Sequence, residues 1–124
     1  MKKLLNTKGF TLIEVLVGLI ILAIGLLGIA GMQVTSVRGN FFSSNLTQAS
    51  YVAQDRIEFI KNMPITNPAL NAGSYADGTS TISGTVFTRS YTVAVNGNLR
   101  TITYTVRWND GVNHAVTFTT IRSQ

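Results

Sequence analysis

The sequence predicts an α+β protein in which one long N-terminal helix packs on a C-terminal antiparallel β-meander. Three observations lead there. An apolar run of bilayer length opens at Phe10, an amphipathic period of three to four residues continues it to Pro64, and apolar–polar alternation with turn dipeptides fills the last third.

Phe10 to Met32 is 23 residues with a single ionisable side chain, Glu14. At about 1.5 Å rise per residue such a helix reaches about 34 Å, enough to cross the hydrocarbon core of a membrane lipid bilayer. Lys2, Lys3 and Lys8 all precede it, so the positive-inside bias holds the N-terminus in the cytoplasm and sends the rest of the chain across. An ordinary secretory signal cut after Ala30, in the triplet Gly28-Ile29-Ala30, is the competing expectation. The run is too long for it, since such apolar cores span about 7–15 residues. Glu14 is costly inside a membrane and points to a partner charge, although a position near the helix end also lets it snorkel to the headgroups.

From Val34 the apolar residues fall on one helix face: Val34, Val37, Phe41, Phe42, Leu46, Ala49, Ala53, Ile57 and Ile60. The helix is expected from about Phe10 to about Asn62, with its weakest place at Arg38-Gly39-Asn40 and its stop at Pro64. Asp55, Arg56, Glu58 and Lys61 read as a solvated face with a Glu58–Lys61 pair. The segment 63–81, with its prolines, glycines, asparagines and serines, is expected as a loop that hides at most a short strand near Tyr75.

The sheet is expected over 82–122. Tyr91, Val93 and Val95 share one face, as do Ile102, Tyr104, Val106 and Trp108, then Val112, Val116 and Phe118; the threonines occupy the other face. Asn96-Gly97 fits a two-residue hairpin loop, and Asn109-Asp110-Gly111 a three-residue one. The latter sets Trp108 against Val112, Val106 against His114, Tyr104 against Val116 and Ile102 against Phe118. The apolar face needs a cover, and the Phe42–Ile60 helix face is the one available.

Composition narrows the chemistry. The formal charge of +5 falls to +2 when the three leader lysines are set aside, so the basicity is mostly a topology signal. With no cysteine, one histidine (His114) and carboxylates scattered over Asp55, Glu58, Asp77 and Asp110, no catalytic triad, metal cage or phosphate loop assembles. We expect no enzyme, cofactor or metal. A nucleic-acid partner through Arg89, Arg100, Arg107 and Arg122 with Tyr104 and Trp108 is disfavoured, because the aromatics share the core face and the arginines form no single stripe.

Lys8-Gly9-Phe10-Thr11-Leu12-Ile13-Glu14 resembles the processing site of type IV prepilins and pseudopilins. The resemblance implies cleavage by a prepilin peptidase between Gly9 and Phe10, N-methylation of Phe10, and pairing of Glu14 with the terminal amine of an adjacent subunit during assembly. Val15 to Gln33 is most similar to PilV-type minor pilins, the pilus modification proteins, and the segment to Pro64 and the threonine-rich strands more loosely so. Many major pilins carry proline where this chain has Gly31. The resemblance therefore implies a leader over 1–9, a transmembrane or filament-core helix over 10–32, and an extracytoplasmic head over 33–124 (amphipathic helix 33–62). The implied function is a minor pilin; the alternatives are a pseudopilin of a type II secretion system or a filament-borne binding subunit for DNA uptake or adhesion. Other pilins or minor pilins and an inner-membrane assembly platform are the implied partners. The implied place is the inner membrane with a periplasmic head, then the pilus or pseudopilus.

Overall fold

The computed structural model describes residues 9–124; Met1–Lys8, most of the expected leader with Lys2, Lys3 and Lys8, lie outside the described residues. The elements are α1 (Leu12–Lys61), a 3-10 turn (Pro68–Leu70), β1 (Gly73–Ile82), β2 (Thr85–Asn96), β3 (Leu99–Asn109) and β4 (Asn113–Ser123). The helix runs unbroken through Gly39. The chain nevertheless divides into two compact units at that glycine, one ending at Gly39 and one beginning at Asn40.

In the second unit, the helix covers one face of a four-stranded antiparallel meander of order β1-β2-β3-β4. The expected helix face is right from Leu46 onward: Ala49, Ala53 and Ile60 are buried, and Leu46 and Ile57 pack against the core. The two alanines, fully inaccessible, bring the helix backbone close to the sheet, where Phe87, Tyr91, Val93, Ile102, Tyr104, Val106 and Trp108 form the opposing layer. Rings stack through that layer, Tyr75 on Tyr91 at 5.0 Å and Tyr91 on Tyr104 at 6.2 Å between centroids.

Several expectations require correction. The segment expected as a loop over 63–81 contains a ten-residue strand, β1, which its glycines and polar residues disguise. It pairs with β2 through a hairpin at Ser83-Gly84, whose φ values of +50° and +82° suit a type I′ turn. The β2–β3 loop is Gly97-Asn98, because Asn96 pairs with Leu99. Gly97 has φ +57° at the first loop position, where a type II′ turn takes glycine. β4 is slipped by two residues from its expected register. Trp108 faces His114, Val106 faces Val116 and Tyr104 faces Phe118, and the loop is Asp110-Gly111-Val112. An even slip keeps each side chain on its face, so Val116 and Phe118 still pack on the core while Val112 is exposed in the turn. Val95 also lies in solvent.

Local polar bonds explain the β3–β4 turn. Gly111 donates its N–H to Asn109 Oδ1 at 2.9 Å, and Asn109 Nδ2 donates to Asn113 Oδ1 at 2.7 Å. These bonds tie the closing pair together one position later than the glycine alone suggests.

Candidate functional site

Gly9 and Phe10 lie exposed in non-helical chain just before α1. Nothing lies within 4 Å of the place where a Cβ on Gly9 would sit. Thr11 starts the helix: its Oγ1 accepts from the Glu14 N–H at 3.3 Å and its carbonyl accepts from the Val15 N–H at 3.2 Å. Thr11 and Glu14 thus have the spacing of a capping box, a signal legible in the sequence and not used there. Glu14 occupies the first turn, at the positive end of the helix dipole. Beyond it the large apolar side chains from Val15 to Met32 are all substantially exposed. Among the described residues, α1 is a helix long and apolar enough to cross a membrane. Such an exposed apolar surface is expected of a helix solvated by lipid or by other helices.

Ionisable groups of the second unit pair with one another in two places. At the first, a bulge between Ala76 and Thr79 breaks the β1 ladder. Gly78 takes φ +82° there, and the bulge aims Asp77 at the helix. Asp77 accepts from Arg56 Nε at 2.8 Å and from Arg56 Nη2 at 2.7 Å, and it also accepts from the Tyr104 hydroxyl. Arg56, expected on a solvated face, is a bidentate partner lying over Phe59 instead; the expected Glu58–Lys61 ion pair does not form.

Burial pushes the Asp77 carboxyl up, but the Arg56 and Tyr104 bonds prevail and hold it below the usual carboxylate range. Burial first, and the bond to Asp77 second, push the Tyr104 phenol up. The signs of the pH dependence follow. A depressed acid contributes stability that is present above its unfolded value, about pH 4, and is lost as pH falls through its folded value. A raised phenol contributes stability that is present below about pH 10 and lost as pH rises through its folded value. We therefore expect Asp77→Asn to cost about 1–3 kcal/mol at neutral pH and to flatten the acid limb of the melting temperature against pH. An unchanged acid limb would show that Asp77 is not the group responsible.

At the second place, the Asp110 carboxylate accepts from Asn45 Nδ2 at 3.3 Å and lies 2.9 Å from His114 Nε2. Burial raises this carboxyl, yet the Asn45 bond and the His114 charge leave it lowered on balance. The His114 ring packs at a tilt against Phe42 and Trp108, with centroids 4.8 Å and 5.3 Å away. His114, expected opposite Val106, is instead a link between helix and turn.

Two of the four arginines raised as nucleic-acid contacts are occupied internally. Arg100 Nη1 donates to the Leu70 carbonyl and Arg122 Nη1 to the Met63 carbonyl. With Tyr91 donating to the Ala69 carbonyl at 3.1 Å, they pin the connection that carries buried Leu70 and satisfy its carbonyls. Among the described residues, no three His, Cys, Asp or Glu side chains cluster as a metal site.

Residues 4–30 match the family described as Prokaryotic N-terminal methylation motif. The chain carries a type IV pilin-like N-terminus. The motif fits a protein of the type IV pilin or pseudopilin type, and the apolar N-terminal helix beside it fits a membrane anchor. The match ends at residue 30, before the second unit begins. No curated protein and no solved structure matches the chain.

Proposed function

We propose that this chain is a minor type IV pilin, a structural subunit that assists the assembly or modification of a pilus once its leader is cut. The observation that carries the proposal is Lys8-Gly9-Phe10-Thr11-Leu12-Ile13-Glu14 at the mouth of the apolar helix. Prepilin peptidase cleaves between Gly9 and Phe10, and Phe10 is then N-methylated. Glu14 receives the terminal amine of a neighbouring subunit. Residues 10–32 serve as membrane anchor and then as filament core, and 33–124 as a periplasmic head, with the N-terminus cytoplasmic in the inner membrane. The partners are prepilin peptidase, other pilins or minor pilins, and the inner-membrane assembly platform. Glycine at position 31, where many major pilins have proline, supports a minor role. A binding role through arginines and aromatics receives less support, since Tyr104 and Trp108 are buried and Arg100 and Arg122 hold loop carbonyls.

The test is the N-terminus of protein extracted from membranes, which should begin at N-methylated Phe10. A start at Gly31 would sink the proposal in favour of ordinary secretion. Gly9→Val should abolish processing and accumulate full-length precursor, because a β-branched side chain denies the backbone freedom and close approach that the cut requires. Normal maturation of that variant would move the cleavage elsewhere.

A further inference from the structure

We propose that the outer edge of β4 takes up an extended strand from a second polypeptide, so that the sheet of this head is completed by strand addition. The sheet order leaves β1 and β4 at its edges. They differ in how they are guarded. β1 is broken by the Asp77-Gly78 bulge, whereas β4 pairs with β3 without interruption from Asn113 to Ser123. From Ala115 to Ile121 β4 carries no charge and no proline. Bulges, lysines and prolines are the usual protections of a free edge, and β4 has none along this stretch.

Backbone geometry shows which groups are free. Gln124 donates its N–H to the Asn98 carbonyl at 3.0 Å, continuing the β3–β4 register. In an antiparallel pair, alternate residues turn their polar backbone groups to the partner. The even-numbered residues of β4 therefore bond to β3, while Ala115, Thr117, Thr119 and Ile121 present N–H and C=O outward. Each outward group is a hydrogen bond available to an incoming strand.

Side chains define the chemistry of that strand. On the helix side, Ile57, Glu58 and Lys61 of α1 and Phe118 and Thr120 of β4 line an open groove. Phe118, which lines it, is only partly buried, as is Val116 two residues earlier on the same face of β4. On the other face, Thr117 meets Thr105 at 3.2 Å between hydroxyls, the end of a row of small residues that crosses Ser90 and Ala76. The partner strand thus places apolar residues toward Ile57 and Phe118 in the groove and small or β-branched polar residues on the open face. Strand addition draws affinity from main-chain bonds and specificity from alternate side chains.

The probe is a nine-residue peptide of alternating valine and threonine with a lysine at each end, added to the full-length chain in detergent micelles. Hydrogen exchange is read residue by residue. In the free chain the Ala115, Thr117, Thr119 and Ile121 amides should exchange fast and the even-numbered amides of β4 slowly. At a peptide concentration about nine times its Kd, exchange at the four odd-numbered amides should slow about tenfold, since only the free fraction exchanges. Thr119→Pro removes one outward N–H and no bond to β3, so it should abolish the peptide effect and leave the even-numbered protection intact. Thr119→Lys keeps every backbone group and should weaken the effect through charge repulsion, a check that survives if the proline variant does not fold. No slowing at millimolar peptide, slowing confined to other strands, or odd-numbered amides already protected by a second copy in a concentration-dependent way would each overturn the proposal. The assay needs no filament, so its failure leaves the pilin proposal untouched, and a failed leader cut leaves the β4 edge untouched.

Discussion

Replacing Trp108 by alanine is expected to destabilise the head by about 3–5 kcal/mol, the cost of emptying a large aromatic site in a core. The indole is 4% exposed, with its centroid 5.9 Å from the Phe87 ring and 6.3 Å from the Phe42 ring. It also braces His114, the partner of Asp110. Truncation therefore leaves a cavity between helix and sheet and loosens the polar link beside it. Since a small domain has only about 5–15 kcal/mol of stability in all, the loss should be plain in a denaturant or thermal melt of the full chain in detergent. Trp108→Phe, which keeps a ring at the site, should recover much of it. An unchanged melting temperature for the alanine variant would mean that the Trp108 site contributes little to the core.

Glu14→Ala is expected to leave membrane insertion and leader cleavage intact and to remove the protein from assembled filaments. Removing a carboxylate from the edge of the membrane does not hinder insertion, and on insertion scales it helps. On the proposed processing, however, cleavage frees a cationic amine at Phe10. In a low-dielectric setting that amine needs an opposite charge from the next subunit to dock in register. The measurement is the processed protein in membranes set against the protein in sheared filaments, with incorporation of the other pilins followed in parallel. Incorporation equal to that of the unaltered chain would reduce Glu14 to a snorkelling side chain that helps hold the helix start.

The helix was legible because its signals are local. Apolar length gives Phe10–Met32, a 3.6-residue period gives Leu46 to Ile60, and Pro64 marks the stop, all within a few turns of chain. Side-chain alternation likewise assigned Ile102, Tyr104, Val106 and Trp108 to the core face, since parity survives any even slip of register. What failed was non-local. β1 was hidden because a strand containing Asp77-Gly78 has neither clean alternation nor apolar bulk, although the Ser83-Gly84 dipeptide marked its hairpin. The role of Asp77 depends on a bulge that turns it toward Arg56, 21 residues earlier in the chain, and no spacing rule joins those positions. Asn45, Asp110 and His114 meet for the same reason.

By itself, then, the sequence determined the pilin-like N-terminus, the helix and the faces of the strands, because charge order, apolar length and periodicity act over neighbouring residues. Only the tertiary structure decided the strand register, the fourth strand, and which charges are paired. The pairing of charges rests on hydrogen bonds between distant parts of the chain: Arg56 and Tyr104 to Asp77, Asn45 to Asp110, and Arg100 and Arg122 to loop carbonyls. Buried polar groups must find partners wherever folding brings them, and that choice is made in space.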